Sequence, residues 1–386
     1  MKDKRILFYV PGMDVINNGV YYSQVFGLAR YAVALGAECL IVYSTRTIND
    51  VEEFIQEGVR LIHCPDEKEY VPLPFIPKKY RRTIKPVEQK LIEFNPTHIY
   101  IRDPFSGFAA LPLAKRLKAK VVFSRRGAGM STGKHTIKDY VKEGISRFYV
   151  WQIFRKTVHL NVVSEYLKRC EAQWYKKDIS VLPCCIMKEK LVEISQQERD
   201  VCRKELDIPL ETKVVTYSGG MSHYQCIDEI LTLMKEMHDI DKSLVFMLLT
   251  QDLDTLNQKL KAVGLSETCC RIRLCRPIEV ATYLQSADVA IILRNNDMEN
   301  RVASPVKIGE YLSSGLGVVA SPWIGDVGAM LASKDFACIF DEKATAEDVV
   351  RFVHQMDESK HDAARMFAKV YYTYEGNRDV VMSMFK

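Results

Sequence analysis

Short apolar runs rich in β-branched residues alternate with amphipathic helical patterns along the chain. The strand candidates of the first half are residues 5–10, 38–44, 59–64, 98–102, 120–124 and 159–164. Those of the second half are residues 213–219, 243–250, 271–275, 289–293 and 317–321. This alternation is typical of βαβ units, so it predicts an α/β protein with two doubly wound, Rossmann-like domains on parallel sheets.

The length also favours two domains, because one hydrophobic core rarely fills a chain of 386 residues. Pro183 interrupts the alternation directly after a strand-like run. We therefore expect a first domain over residues 1–182 and a second over residues 183–361. The last helix, residues 362–386, is expected to pack back onto the first domain.

The composition indicates a soluble globular protein of the cytosol. Hydrophobic residues make up 47% of the chain and charged residues 27%. No run of 18 apolar residues occurs, and the apolar run near the start is too short for a signal peptide. The 11 cysteines include adjacent pairs but no CxxC spacing, which favours reduced, mostly buried thiols over disulfides or zinc.

Charge is distributed unevenly along the chain. Residues 1–180 contain 30 Lys and Arg against 18 Asp and Glu, and residues 181–386 contain 24 against 31. The basic half suits an anionic membrane surface or an acidic substrate, with solvated helix faces as the alternative. The membrane-surface candidates are Lys78, Lys79, Arg81 and Arg82. Nucleic acid is not expected as a partner, since no recognised binding motif accompanies the charge.

Open parallel sheets bind ligands beyond the carboxyl ends of their strands, so the loops there carry the candidate chemistry. After the first strand, Asn18 and Gly19 lead into a helix. Gly19 would let backbone amides approach a phosphate or a sugar closely, whereas a plain loop glycine is the alternative. The GxGxxG fingerprint is absent, which argues against NAD.

A glycine-rich loop follows residues 120–124 and begins with Arg125 and Arg126. These arginines place cationic donors at the end of a strand, although ordinary surface arginines are the alternative. A phosphate-binding P-loop would need Gly at Ala128 and Ser or Thr at His135. The loop is therefore not expected to belong to a nucleoside triphosphatase.

Two Asp-x-Asp sequences resemble metal-binding motifs of sugar transferases. Asp239 and Asp241 precede a strand, at the edge of the sheet away from ligands. Asp252 and Asp254 open a helix, where N-capping is the simpler explanation. We expect no metal ion and no other cofactor.

One helix start stands out in the second half. Ser304 is the expected N-cap and Pro305 the first helical residue, which puts Lys307 in the first turn. The helix dipole opposes a cation there by about 0.3–1 kcal/mol unless an anion compensates. A nucleotide diphosphate would supply that anion, and Glu310, one turn deeper, could accept bonds from ribose hydroxyls. A surface Lys–Glu pair is the alternative.

The stretch SPVKIGEYLSSGLGVVAS resembles the nucleotide-sugar helix of the family-four glycosyltransferases of the GT-B fold, in which Ser-Pro-x-Lys-x-x-Glu-Tyr-Leu is common. Further matches follow in order: NNGVYYSQVFGLARYAVALG, IYIRDPFSGFAALPLAKRLKAKVVFSRRG, NVVSEYLKR, VLPCC, VVTYSGG and YLQSADVAIILR. The resemblance thus covers nearly the whole chain, and it implies two Rossmann-like domains facing across a cleft.

The chain also departs from this pattern. Val302 stands where many members have a second glutamate, and Gly220 and Gln225 stand where an arginine and a lysine usually grip the diphosphate. Arg294 and Arg301, together with Lys307, are expected to compensate. Arg126 stands in place of a first-domain histidine, which leaves no evident base and fits a retaining reaction.

The resemblance implies a retaining, metal-independent transfer of a hexose from a nucleotide diphosphate sugar of UDP or GDP type. The acceptor, a saccharide or lipid-linked saccharide of a surface polysaccharide pathway, is expected on the basic first domain. Candidate catalytic residues are Glu310, Lys307 and Arg126. Candidate donor ligands are Gly19, Gly219, Gly220, Arg294, Arg301, Ser304, Pro305, Lys307 and Glu310. Candidate acceptor ligands are Asn18, Arg102, Asp103 and Arg125.

Two rival functions stay open at this point. A sugar-nucleotide epimerase would share the fold but needs acids and bases, for which Asp103 and His135 are the best candidates. A catalytically lapsed binding subunit is favoured by Val302, Gly220 and Gln225.

Overall fold

The computed structural model describes residues 1–66, 84–127, 136–187, 189, 191, 195–275 and 279–386. The chain divides into two compact units, Met1–Cys184 with Asn377–Lys386, and Cys185–Gly376. Each unit is built on one sheet of mainly parallel strands, so the expected fold class is confirmed.

The first unit contains a sheet of eight described strands. They are β1 (Arg5–Val10), β2 (Glu38–Thr45), β3 (Glu52–Gln56), β4 (Val59–Pro65), β5 (His98–Ile101), β6 (Lys120–Ser124), β7 (Thr157–Val162) and β8 (Ile179–Val181). Their order is β3-β4-β2-β1-β5-β6-β7-β8, and the described pairs are parallel apart from β3 with β4. Leaving out β3, the first six strands follow the 3-2-1-4-5-6 order of a Rossmann sheet.

The helices of the first unit connect and cover these strands. The described helices that precede β8 are α1 (Gly19–Tyr21), α2 (Gly27–Ala34), α3 (Glu88–Phe94), α4 (Pro104–Leu117), α5 (Ile137–Phe154) and α6 (Glu165–Glu171). A π-helical turn, Tyr22–Phe26, joins α1 to α2. The central strand β1 is buried from Ile6 to Val10, as expected of a strand covered on both faces.

The second unit contains a sheet of six described strands. They are β9 (Val214–Ser218), β10 (Val245–Thr250), β11 (Cys270–Leu274), β12 (Val289–Ile292), β13 (Gly317–Ala320) and β14 (Ala337–Ile339). Every described pair is parallel, and the order β11-β10-β9-β12-β13-β14 is again 3-2-1-4-5-6.

The helices after β8 are α7 (Gln196–Glu205), α8 (Ile227–Ile240), α9 (Leu253–Val263), α10 (Val280–Leu284), α11 (Met298–Val302), α12 (Val306–Ser313), α13 (Val327–Leu331), α14 (Ala346–Gln355), α15 (Glu358–Tyr371) and α16 (Arg378–Met384). Helix α12 packs against β13 and α15, while α8 packs against α9 and α14. One apolar core, which includes the buried faces of α8, α12 and α14, surrounds the sheet.

Several elements differ from the sequence-based expectation, and strand β14 is among the strands that were not expected. The exposed strand β3 was not expected, because its charged residues hide the period of a strand; the turn at Glu57 and Gly58, both with positive φ, pairs it with β4. The expected helix over residues 362–386 is two helices. Helix α15 belongs to the second unit, and only α16, after Gly376, belongs to the first.

A buried ion network fixes the amino end of the second sheet. Asp288, directly before β12, accepts bonds from Arg199 Nη2 at 2.8 Å, Arg203 Nη2 at 3.0 Å and the Val214 amide at 2.8 Å. Arg203 is itself buried and donates to the carbonyl oxygens of Ser286 and Leu210. Helix α7 is thereby joined to the first strand of this sheet.

We expect Asp288→Ala to lower the free energy of unfolding of the second unit by about 3–5 kcal/mol, because it leaves buried arginines without their carboxylate. Urea unfolding measures this loss through Trp323, once Trp151 and Trp174, the other two tryptophans, are replaced by Phe. The control Asp239→Ala removes an exposed partner of Lys235 and Lys242 and should change stability far less. Equal effects of the two substitutions would contradict the role of the network.

Candidate donor site in the second unit and cationic site in the first

The strand order of the second sheet selects one position for a ligand. The chain leaves β9 toward β10 on one side and β12 toward β13 on the other, although β9 and β12 are neighbours. Such a reversal opens a crevice beyond the carboxyl ends of the two strands, where open α/β sheets bind ligands. Gly219 directly follows β9, and Arg294 follows β12 after one residue, so both lie at this position.

Two cations converge here on one neutral oxygen. Lys307 Nζ donates to Gln225 Oε1 at 2.9 Å, and Arg294 Nη2 donates to the same oxygen at 2.7 Å. Arg294 Nη1 also donates to the carbonyl oxygens of Leu293 at 2.8 Å and of Gln225 at 3.3 Å. We call Lys307, Arg294 and Gln225 the cation cluster.

The cation cluster carries positive charge that no close carboxylate neutralises. Neither Lys307 nor Arg294 forms an ion pair with a carboxylate of the described residues. Burial, and then the charge of Arg294, lowers the pKa of Lys307 to about 7, although Glu310 opposes this shift. The ammonium also lies 4.8 Å from the centre of the Tyr217 ring. An anion bound here would stabilise both cations, and a strongly shifted pKa beside a specific charged neighbour is typical of a functional site.

Gly219 is what lets the ammonium approach the end of β9. Its φ is +150°, and a Cβ atom at this position would lie 2.0 Å from Lys307 Nζ. Any other residue would displace the lysine. The neighbouring Gly220 accepts a bond from the Tyr217 hydroxyl at 2.7 Å through its carbonyl oxygen.

Helix α12 begins one residue later than expected. Pro305 is the N-cap, Val306 is the first helical residue, and Ser304 precedes the cap. The N-cap assignment of Ser304 was therefore wrong, because Pro305 has extended backbone angles and offers no side-chain cap bond. Lys307 still lies in the first turn.

A close backbone contact holds the segment before α12. Gly325 donates its amide to the Asn300 carbonyl at 2.9 Å and has a φ of +48°. A Cβ atom on Gly325 would lie 1.9 Å from the carbonyl oxygen of Ala303. The turn after β13 thus packs directly against the chain that leads into α12.

The inner side of α12 is anchored to β9. The Tyr311 hydroxyl accepts a bond from the Ser218 amide at 3.1 Å, and Ile308, Tyr311 and Leu312 are buried, as the helical pattern predicts. Glu310 is half-buried and acts electrostatically on Lys307, one turn away. The helix thus places a carboxylate and an ammonium near the switch point of the sheet.

Arg301, one residue of the predicted donor site, forms its hydrogen bond outside the cation cluster. The exposed side chain donates to Asn296 Oδ1 at 2.7 Å. Val302 is buried in the apolar interior. Arg294 and Arg301 were expected to replace the arginine and lysine that usually grip the diphosphate. Of these two, Arg294 is the one that joins Lys307 in the cation cluster.

A second cationic site lies in the first unit, at the corresponding reversal of its sheet. There β1 and β5 are neighbours whose chains continue to opposite sides, and Arg102 directly follows β5. Arg102 Nη2 donates to Gln24 Oε1 at 2.8 Å, and Arg126 Nη2 donates to the Tyr100 hydroxyl at 3.3 Å. Burial would raise the pKa of Tyr100, but the charges of Arg126 and Arg102 outweigh it and lower that pKa.

The other predicted residues of the first unit have local structural contacts. Asp103 caps α4 by accepting from the amides of Phe105 at 3.0 Å and Ser106 at 2.9 Å. Asn18 caps α1 in the same way, and Gly19 is its first helical residue. Arg125 forms a largely buried ion pair with Glu171 at 2.9 Å. The roles of these residues toward donor or acceptor stay predictions.

The Asp-x-Asp segments lie where the sequence placed them. Asp239 and Asp241 precede β10, where Asp239 pairs with lysines. Asp252 is the N-cap of α9 and accepts from the Thr255 amide at 3.2 Å. Among the described residues no group of three or more His, Cys, Asp or Glu side chains could hold a metal ion.

Some predicted residues lie outside the described part of the chain. These are the membrane-surface candidates Lys78, Lys79, Arg81 and Arg82, and the rival base His135. No described helix is long and apolar enough to span a membrane.

Sequence reasoning missed three partners of the cations. Gln225 was interpreted only as a lost lysine, whereas its amide oxygen joins Lys307 to Arg294. Tyr100 and Gln24 were not singled out, because no local motif marks them. The one available signal was the position of Tyr100 in a strand that ends at the switch point.

Comparisons with known proteins agree with this geometry. The model of Glycosyltransferase Family 4 matches residues 23–190. A comparison with the sequences of curated proteins gives no significant match.

Solved structures of similar fold cover nearly the whole chain. Sucrose-phosphate synthase from Thermosynechococcus elongatus has a TM-score of 0.76 at 13% identity, over 99% of this chain and 97% of that one. Anabaena HepE in complex with UDP has a TM-score of 0.68 at 13% identity, over 100% and 99%. The catalytic domain of starch synthase IV from Arabidopsis thaliana, bound to ADP and acarbose, has a TM-score of 0.68 at 11% identity, over 100% of both chains.

The family match covers the part of the chain that holds Arg102 and Arg126, and the similar structures extend the same fold through the cation cluster. The resemblance found in the sequence is therefore confirmed: residues 23–190 match the model of Glycosyltransferase Family 4, and the chain has the GT-B fold of the similar structures.

Proposed function

We propose that this glycosyltransferase moves a hexose, with retention, from a nucleotide diphosphate sugar of UDP or GDP type to a saccharide or lipid-linked saccharide. The product belongs to a surface polysaccharide pathway at the inner face of the cell membrane. The second unit binds the donor and the first unit binds the acceptor.

One observation carries the donor half of this proposal. Lys307 and Arg294 share the oxygen of Gln225 at a strand reversal, without an ion pair to any described carboxylate. A diphosphate has the charge and the oxygens to replace that neutral acceptor, and it would meet the start of α12 as well. The nucleotides bound to HepE and to starch synthase IV support a nucleoside diphosphate as the ligand class.

The roles of the residues follow from this placement. Lys307 and Arg294 stabilise the negative charge that grows on the departing diphosphate, which is the largest catalytic contribution we expect. Two fixed cations provide this charge stabilisation in a metal-independent way. Gly219, Ser304 and Pro305 position the phosphates, and Glu310 accepts bonds from the ribose hydroxyls.

Retention of configuration fits a reaction in which the departing phosphate oxygen takes the proton of the acceptor. The side chain at the first-domain histidine position is Arg126, which is a poor base because a guanidinium keeps its proton. Positioning of donor and acceptor then supplies the remaining rate enhancement.

The rival functions predict different products. For an epimerase, Asp103 would have to act as an acid or base, but its carboxylate is occupied as the cap of α4. Incubation of the protein with UDP- and GDP-hexoses and candidate acceptors, followed by product analysis, distinguishes the three functions. Glycosylated acceptor supports the proposal, isomerised nucleotide sugar supports the epimerase, and binding without turnover supports the lapsed subunit.

An exposed face of α5 supports the membrane part of the proposal. At helical spacing along α5, the large apolar side chains of Ile137, Tyr140, Val141, Phe148 and Trp151 are 49–83% exposed. The same helix and the residues just after it also carry exposed cationic side chains, namely Lys142, Arg147, Arg155 and Lys156. Apolar and basic residues combined on one helix suit the interface of an anionic bilayer.

We expect Lys307→Met to weaken the binding of UDP or GDP by much more than the binding of uridine or guanosine, because only the diphosphate meets the missing cation. Trp323 fluorescence, in a chain with Trp151 and Trp174 replaced by Phe, and calorimetry measure both affinities. Trp323 is a suitable probe, since its indole NH donates to the Arg294 carbonyl. Lys242→Met, on the surface of the same unit, is the control. Equal diphosphate affinity in parent and variant would contradict the placement of the donor.

We also expect the affinity for the diphosphate to fall as the pH rises above about 7, since the ligand favours protonated Lys307 and the free protein loses that proton. Binding should take up a proton, which calorimetry in buffers of different ionisation enthalpy measures. The free energy of unfolding of the ligand-free parent should rise as the pH increases from about 7 to about 10.4, the ordinary pKa of lysine. In this pH range the unfolded chain binds more protons than the folded one. Lys307→Met should lack both pH effects.

Glu310→Gln is expected to lower donor affinity by roughly 10- to 150-fold, because charge-assisted bonds to ribose hydroxyls contribute about 1.5–3 kcal/mol. A 2′,3′-dideoxynucleoside diphosphate should bind parent and variant alike, since it lacks those hydroxyls. The exposed Glu236→Gln serves as the control. A loss that is the same for both nucleotides would exclude the ribose contact.

Replacement of Phe148 and Trp151 by Ser should reduce co-sedimentation with anionic vesicles about tenfold or more, because each buried aromatic side chain contributes about 1.5–3 kcal/mol. Trp174→Ser, at an exposed tryptophan outside α5, should have little effect. Parent binding should be weaker to neutral vesicles and at high salt. Serine at Lys78, Lys79, Arg81 and Arg82 tests the basic segment separately. The membrane proposal would be contradicted if vesicle binding were the same for neutral and anionic lipid and were unchanged by the substitutions in α5 and in the basic segment.

A further inference from the structure

The cationic site of the first unit contains a donor that the protein itself leaves unused. Arg102 is 9% exposed, and its Nη1 atom is buried without a hydrogen-bond partner among the described residues. The other contacts of the guanidinium are the bond from Nη2 to Gln24 and the face of the Tyr21 ring, whose centre is 5.2 Å away. An unsatisfied buried donor on a charged group is costly, so it is rare in a protein that binds nothing there.

The surroundings of Arg102 add charge of the same sign. The charge of Arg126, which follows the adjacent strand β6, lowers the pKa of Arg102 further, as the largest influence after burial. The groups that act in the opposite direction are neutral side chains, namely Tyr100, Cys184 and Tyr21. The carboxylate of Asp103 is turned to its own helix. Arg102 is thus buried with an unused donor, and Arg126 adds a second positive charge beside it.

The position in the fold points to a ligand. Arg102 follows β5 at the strand reversal of the first sheet, as Arg294 follows β12 at the reversal of the second. Such positions are where open α/β sheets bind their ligands. Residues 98–127 also lie within the part of the chain that matches the family.

We propose that Arg102 Nη1 and Arg126 bind a phosphate group, and that the acceptor of this glycosyltransferase is therefore a phosphorylated saccharide. A phosphate monoester carries a charge of about −1.5 to −2 and presents three acceptor oxygens, which suits two guanidinium groups that approach from different strands. A carboxylate offers one charge and two oxygens. The phosphate belongs either to a soluble sugar phosphate or to the head group of a lipid-linked saccharide.

The inference rests on the proposed function only for naming the ligand as the acceptor. Phosphate binding itself is tested without a donor, in a Lys307→Met background that removes a cation from the donor site. Glucose 6-phosphate, with glucose as the neutral control, is titrated by calorimetry. Arg102→Met should lower the affinity for glucose 6-phosphate by about 10- to 150-fold, the loss of one charge-assisted bond.

A purely structural arginine would behave differently from a ligand-binding one. Arg102→Met removes an unpaired buried charge, so the ligand-free protein should melt at the same or a higher temperature. Arg30→Met, which breaks the ion pair with Glu57 elsewhere in the same unit, should melt at a slightly lower temperature and keep its phosphate affinity. These opposite responses identify Arg102 as a binding residue.

The source of the phosphate is distinguished with vesicles. Phosphatidylcholine vesicles with and without a polyprenyl phosphate are co-sedimented with the parent and with Arg102→Met. Binding of glucose 6-phosphate in solution supports a soluble acceptor, and binding only to vesicles that contain polyprenyl phosphate supports a lipid-linked one. In either case the affinity must fall in Arg102→Met.

Nucleotide binding, measured in parallel, separates this inference from the proposed function. Failure of the parent to respond to UDP and GDP would defeat the donor site and leave phosphate binding at Arg102 standing. The inference is overturned if neither phosphate probe binds, or if Arg102→Met melts at a lower temperature and binds both probes as tightly as the parent.

Discussion

The candidate donor site is organised around one neutral oxygen that accepts a hydrogen bond from each of two cations. Lys307 and Arg294 both donate to Gln225 Oε1, and their mutual repulsion is balanced by no ion pair within the described chain. An amide oxygen satisfies their geometry but not their charge. The hydrogen bonds of the site are therefore satisfied while its positive charge is not, and this difference is what supports the proposed anionic ligand.

The fold makes this arrangement possible because it supplies burial and rigidity at one position. In the second sheet the reversal between β9 and β12 brings Gly219 and Arg294 together, and α12 adds Lys307 from the next connection. Tyr311 fixes α12 to Ser218, and the close contact at Gly325 fixes the chain before it. The first sheet has the same strand order and places Arg102 at its own reversal.

Much of the fold was predictable from the sequence, because buried parallel strands are continuous apolar runs. The central strands β1, β6, β9 and β13 lie where those runs are. Strand β3 was not predictable in this way, since an exposed edge strand has no buried face to impose a pattern. Helix α15 belongs to the second unit because its buried face contacts α12, a partner that no local signal identifies.

The candidate site was predictable only in part. The motif around Lys307 and Glu310 marked the candidate donor helix. The same kind of local reasoning named Asp103, Asn18 and Arg125, which the structure shows as two helix caps and a member of an ion pair, so their functional roles stay predictions. Short polar side chains at strand ends are also the best helix caps. Sequence alone therefore does not separate helix capping from ligand binding.

The sequence by itself determined most buried strands, the division into two α/β units and the helix that carries Lys307, because hydrophobic period, capping and glycine act over a few residues. Tertiary structure alone decided which cations share an oxygen and which arginine is left with an unused donor. Gln225 and Lys307 are far apart in sequence, as are Gln24 and Arg102, and they meet only through the strand order. The burial of a group and the electrostatic field around it depend on every element packed against it. Both are therefore set only when the chain folds.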